Sequence, residues 1–226
     1  MGPYIDKVKR RSRERGLASV LVAIAETLAR PVVRRRRRLV FEAPLNVEYA
    51  PSTWSGNEIL MVIGPEQIDS LNPQLAATLE IDRHREDLET IHKGNRLFVV
   101  ASGTQVLHRG YVCTVDPPAV ARHERKAIFF GDLSDVPTIR SCETTAGARG
   151  KGLYRRVLNE QLRYLRSLGY SRAVLYIMAG NTASVRGATA AGFRLSRVLV
   201  DWILFETIVF QKVAENGSAR WRAFLQ

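Results

Sequence analysis

The stretch "AGARGKGLYRRVL", residues 146–158, packs three glycines and four basic residues into a loop and then reads as a helix. A glycine-rich turn that opens a helix is a phosphate-holding device. The first amide N–H groups of the helix lack helical partners, and the helix dipole adds partial positive charge. Arg149 and Lys151 add full charges. Two common nucleotide motifs fail on it. A Walker loop ending at Gly150-Lys151 needs a glycine where Thr145 stands and a hydroxyl where Gly152 stands. The dinucleotide fingerprint fits Gly150 and Gly152 but places Arg155 at the third glycine, and Tyr176 to Asn181 supply no acid for a ribose. What survives is a nest suited to a pyrophosphate.

Working outward, "EILMVI" (58–63) reads as a strand and residues 74–93 as a charged helix. "RLFVVAS" (96–102) and "TQVLHRGYVCTV" (104–115) read as a hairpin around Ser102-Gly103, and "KAIFFGDL" and "VPTIRSCET" as another strand pair. Beyond the loop, the pattern predicts a helix over 153–168 closed by Gly169, a strand over 172–179, and a helix over about 182–191 closed by Gly192. Strands "FRLSRVLV" and "ILFETIVFQKV" come next. Meandering strands succeeded by crossover helices predict an α+β domain with a mixed, mostly antiparallel sheet of about seven strands.

The loop and the strand–helix unit after it resemble the GNAT superfamily of acyl-CoA-dependent N-acyltransferases. The family's pyrophosphate loop, [QR]-x-x-G-x-[GA], reads here Arg149, Gly150, Lys151, Gly152, Leu153, Tyr154, with tyrosine in the last, usually small, position. The family's next strand–helix unit, N-x-x-[SA] closing on Gly-Phe, reads Asn181, Thr182, Ala183, Ser184 and then Gly192-Phe193. The resemblance covers roughly residues 55–213. It implies that acetyl-CoA or another acyl-CoA is the co-substrate. The backbone of Cys142 to Thr144 would pair with the pantetheine arm, loop 149–154 would hold the pyrophosphate, and Asn181 would bond the pantetheine. Two parallel strands, 137–144 and 172–179, would part into a V-shaped gap. A primary amine would then attack the thioester directly, with Glu143 as candidate base. The family's usual acid is a tyrosine four residues before Gly-Phe; Ala188 stands there, leaving Tyr154 or Tyr176 as substitutes. The missing acid also keeps open a second reading, a non-catalytic CoA-binding regulatory module. Of the histidines, His108 on a hairpin strand is the one placed to face an acceptor pocket; His84, His92 and His123 read as solvated. No Cys/His spacing suggests zinc.

The bulk numbers bound the rest. With 226 residues, 46% hydrophobic, the chain holds one sizeable domain plus an appendage. Residues 1–40 contain twelve Lys or Arg against three acids, so they carry +9 of the net +12. They read as a basic amphipathic extension: Leu17, Val20, Leu21, Ile24 and Leu28 share one helical face, Pro31 ends it, and the run Arg34 to Arg38 comes after. Two readings of this extension stay open. It lies on an anionic membrane surface, or it docks on the domain with its arginines solvated. The first would suit an amino-sugar or lipid-linked acceptor. A nucleic-acid tail is the weaker third, because no aromatics interleave the run. Ala23-Ile24-Ala25 after an apolar stretch resembles a signal-peptide cleavage site, but the basic lead is long and the apolar core short. Two distant cysteines, Cys113 and Cys142, read as reduced thiols of a cytoplasmic protein. Residues 214–226 read as a C-terminal tail.

Overall fold

The computed structural model describes residues 33–68, 91–114, 136–204, 207–215 and 218–223. The expected helix over 17–29, residues 74–90 of the helix expected over 74–93, and the strand "KAIFFGDL" lie outside these residues. So do His84 and His123.

The described residues form nine strands in one sheet: β1 (Val33–Pro44), β2 (Glu58–Ile63), β3 (Arg96–Ser102), β4 (Gln105–Cys113), β5 (Thr138–Thr144), β6 (Arg172–Met178), β7 (Arg194–Leu204), β8 (Thr207–Glu215) and β9 (Ser218–Ala223). Their spatial order is β2-β3-β4-β5-β6-β1-β7-β8-β9. Every pairing is antiparallel except β5 with β6. The α+β, mixed and mostly antiparallel sheet expected from the sequence is therefore the observed one, with more strands than the seven anticipated.

Among the described residues three α-helices join them: α1 (Pro65–Ile68), α2 (Leu153–Ser167) and α3 (Thr182–Ala190). Helix α2 buries Leu153, Val157, Leu158, Leu162 and Leu165, a stripe at helical spacing, against the sheet. With Phe41, Phe98, Val112, Ile139 and Leu175 from the strands, and Phe193 beyond α3, that stripe makes the largest core. Burying side chains of this size contributes about 1.5–3 kcal/mol each. Helix α3 stops because Gly192 takes a left-handed φ of 93°. The Gly192 N–H then donates to the Thr189 carbonyl and the Phe193 N–H to the Ala188 carbonyl, which satisfies the terminal carbonyls and drops Phe193 into the core. The Gly-Phe pair in the sequence is this cap.

The arginine run corrects the domain boundaries. Val33–Pro44 is not part of an appendage; it is a strand between β6 and β7. Its residues alternate. Arg35 and Arg37 are exposed, while Arg36 and Arg38 turn to the other face and meet Asp201 of β7. Arg38 Nη2 lies 2.8 Å and Arg36 Nε 3.3 Å from Asp201 Oδ2, with Asp201 wholly buried. A buried arginine is tolerated only with such a partner. The domain thus begins by residue 33 rather than near 55, and the +9 of residues 1–40 is partly neutralised inside the sheet. The C-terminal tail is corrected likewise: Ser218–Ala223 pairs with β8. The run "ILFETIVFQKV" is not one strand, because the chain reverses between Leu204 and Thr207, which pair with each other. Among the described residues no helix is long and apolar enough to cross a membrane.

Candidate functional site

The parallel pair β5–β6 is brief. Thr138 pairs with Val174 and Ile139 with Leu175, and there the ladder ends, while β5 runs on to Thr144 and β6 to Met178. On its other side β5 stays paired with β4 as far as His108–Thr144. Beyond Ile139 the β5 edge, including residues 141–144, therefore runs along the gap without pairing to β6. The break has a local cause. Ser141 adopts a left-handed φ of 49°, and the β4–β5 register shifts so that Ser141 and Cys142 face Gly110 alone, a bulge. Gly110 is needed there: a Cβ on it would lie 2.8 Å from the Cys142 sulfur.

A cavity of about 590 Å³ opens where the strands part. Its wall includes Cys142, Glu143 and Thr144 of β5, the loop from Ala148 to Arg155 apart from Lys151, and Asn181, Ser184, Arg186 and Gly187 of α3 and its cap. The loop starts with a 3₁₀ turn, Ala146–Ala148, pinned to β4 by Thr145, whose N–H and hydroxyl both donate to the Leu107 carbonyl. Gly150 and Gly152 then take φ of 78° and 72°. Gly152 is the N-cap of α2 and has no side chain to cap it, so the first amides of the helix are left to face the cavity. Alternating left-handed residues ahead of a helix make an anion nest.

Most of the residues expected from the sequence meet at this cavity. Cys142, Glu143, Thr144, Arg149, Gly150, Gly152, Leu153, Tyr154 and Asn181 all line it. Lys151 sits in the loop, exposed, and does not line it. Leu153 buries its side chain in the core, so only its backbone can serve a ligand. The Asn181 Oδ1 accepts from the Ser184 N–H at 3.1 Å, capping α3, which leaves its amide NH₂ to donate. Arg149 folds back, its Nε donating to the Thr144 carbonyl at 3.3 Å. Glu143, its side chain 64% exposed, pairs with Arg109 at 2.9 Å. Burial pushes the Cys142 thiol up to about 12, so it stays protonated at neutral pH. Tyr176 packs on the opposite face, with Val40 and Val174, and is removed as a substitute acid. Ala188 is fully buried.

Sequence reasoning did not foresee Gly187. A Cβ there would lie 2.5 Å from Tyr154 Cδ1, so the tyrosine in the motif's small position is accommodated by a glycine on the facing helix. Gly187→Ala is expected to destabilise the fold by about 1–3 kcal/mol through overpacking. Adding Tyr154→Ala should restore much of the loss. Urea unfolding of the single and double variants measures both.

His108 is wholly buried beside the cavity. Its Nδ1 lies 2.7 Å from the Thr144 hydroxyl and its ring 5.9 Å from that of Tyr154, while Nε2 makes no hydrogen bond to protein. Burial pushes its pKa down to about 4, against a weaker upward pull from the Glu143 carboxylate. The fold thus favours the neutral ring. That contribution is complete above the unfolded value near 6.5 and is lost as pH falls from there to about 4. Unfolding free energy should fall over this window with a slope approaching about 1.4 kcal/mol per pH unit, and His108→Gln should remove that part of the slope in denaturant melts at pH 7, 6 and 5.

Solved structures share this fold. A Drosophila protein matches at 10% identity and a TM-score of 0.52, over 83% of this chain and 57% of its own. The GCN5-related glucosamine N-acetyltransferase region of a fungal multi-domain beta-N-acetylglucosaminidase matches at 12% identity and a TM-score of 0.50, over 82% of this chain and 23% of that one.

The chain has the GNAT fold.

A GNAT-family acetyltransferase from Colwellia psychrerythraea matches at 16% identity and a TM-score of 0.48, over 81% of this chain and 62% of its own. The chain thus spans less than two thirds of the length of these GNAT-fold structures. No family model and no curated protein matches it by sequence. Among the described residues, no cluster of three or more His, Cys, Asp or Glu side chains is gathered as a metal site.

Proposed function

We propose that the chain is an acyl-CoA-dependent N-acyltransferase that moves an acetyl group from acetyl-CoA to a primary amine. The observation that carries this reading is one cavity with two kinds of lining. One is the glycine nest and the start of α2; the other is the edge of β5 beyond its short pairing with β6. A pyrophosphate suits the first, and an extended, amide-bearing arm adds as a strand to the second. Those two features together describe the phosphopantetheine half of CoA.

In this reading the Cys142–Thr144 backbone, loop residues 149–154 and the Asn181 amide hold the co-substrate. The amine nitrogen attacks the thioester carbonyl carbon, a C–N bond forms, and the C–S bond breaks as the thiolate leaves. Glu143 takes the amine proton. Its pairing with Arg109 is exposed, and such pairs contribute only about 0–1 kcal/mol, so the carboxylate is not locked away. Tyr154, whose phenol burial pushes up, stays protonated in the cavity wall and donates to the thiolate. The protonated Cys142 thiol argues against an acyl-cysteine relay and for direct attack. The acceptor is an amine on an amino sugar or lipid-linked precursor, met in the cytoplasm at an anionic membrane face through the basic N-terminal residues, of which residues 1–32 lie outside the described residues.

The test is calorimetric titration with acetyl-CoA and then thiol release over a panel of amines. Binding with turnover supports the transferase. Binding without turnover on any amine favours the regulatory module, to which the buried Ala188 in the usual acid position points. Absence of binding ends both.

A further inference from the structure

Arg155 and Arg186 stand apart from the arginines around them. Arg109 pairs with Glu143, Arg156 with Glu58 and Arg163 with Glu160. Arg155, in the first turn of α2, and Arg186, in the middle of α3, are exposed and have no acidic partner among the described residues, yet both line the same cavity. They approach it from two different helices, which meet at the Tyr154–Gly187 contact. The nest and Arg149 already suffice for one pyrophosphate. Two further exposed guanidiniums on the wall of the same cavity supply the charge and the donors that a second anion needs.

We propose that Arg155 and Arg186 form a second anion subsite that reads the 3′-phosphate on the ribose of CoA. The inference rests on the acyl-CoA reading and adds to it the part of the nucleotide that is recognised. A terminal phosphomonoester carries close to two charges and three acceptor oxygens, which two planar guanidinium forks match. The co-substrate is then told from its 3′-dephospho form by these two side chains, while the nest grips both alike.

The experiment titrates the full chain, by calorimetry, with CoA and with 3′-dephospho-CoA, in the wild type and in Arg155→Gln/Arg186→Gln. Charged hydrogen bonds contribute about 1.5–3 kcal/mol each, so the wild type should prefer CoA by tenfold or more. The double variant should weaken CoA to the level of the dephospho form, and the salt dependence of CoA binding should become shallower. Equal wild-type affinity for the two ligands overturns the subsite and leaves the acyl-CoA reading standing. A double variant that keeps the preference overturns it as well. Failure of both ligands to bind ends the acyl-CoA reading, and the subsite with it.

Discussion

Gly152→Val is expected to weaken acetyl-CoA binding by a hundredfold or more while the chain stays folded. Gly152 has φ of 72° and ψ of 7°, a conformation that costs a residue with a Cβ about 1–2 kcal/mol and suits a β-branched one worst. The loop can relieve that strain only by rotating, and rotation turns the first amides of α2 away from the cavity. Loss of two charged hydrogen bonds at about 1.5–3 kcal/mol each accounts for a hundredfold or more. The fold is spared because a Cβ at Gly152 meets no protein atom within 4 Å; the space it would enter belongs to the cavity. Gly147→Ala is the matched control: it too has open space, but it has no left-handed φ and lies outside the cavity wall. Calorimetry and a melting curve on each variant decide the matter. Wild-type affinity in Gly152→Val would show that the nest is not where the ligand binds.

The second large effect is on stability. Asp201→Ala removes the acid between Arg36 and Arg38 and leaves Arg38, its side chain 7% exposed, without its buried carboxylate partner. Removing one partner of a buried pair costs about 3–5 kcal/mol. In a chain of this length that lowers Tm by about 10 °C. Replacing charges on both sides, Asp201→Leu with Arg38→Leu, should recover a large part of the loss, since apolar packing substitutes well for a buried ion pair. A melting shift under about 2 °C for Asp201→Ala would mean that Arg38 finds water or another acid.

What the sequence made legible was what neighbours in the chain decide. The nest needs glycines beside a helix start, the α3 cap needs Gly192-Phe193, and the gap needs a strand on each side of one crossover helix; all of these lie within residues 138–193. What it hid depends on partners far away. The arginines of β1 looked solvated because the acid that buries Arg38 is Asp201, at the far end of the chain. The reversal between Leu204 and Thr207 carries no glycine, proline or asparagine to announce it. Tyr154 looked like a defect in its motif, and only Gly187, on another helix, makes room for its ring. Glu143 was legible as a cavity residue, but its ion-pair partner depends on the bulge at Ser141, which shifts the β5 register by one and brings Arg109 rather than His108 opposite it.

The placement of β1 bears on where the chain can be shortened. The sequence invites a cut that removes the whole arginine-rich beginning, and by composition alone that cut would improve behaviour in solution. Such a cut would take out the strand to which both β6 and β7 are hydrogen-bonded. The sheet would fall into two pieces, β2 to β6 and β7 to β9, each with a long unpaired border bearing Val174, Leu199 and other core side chains. Such borders pair with other chains. A shortened form that begins after residue 44 should therefore precipitate, whereas one that begins at residue 32 keeps the sheet whole.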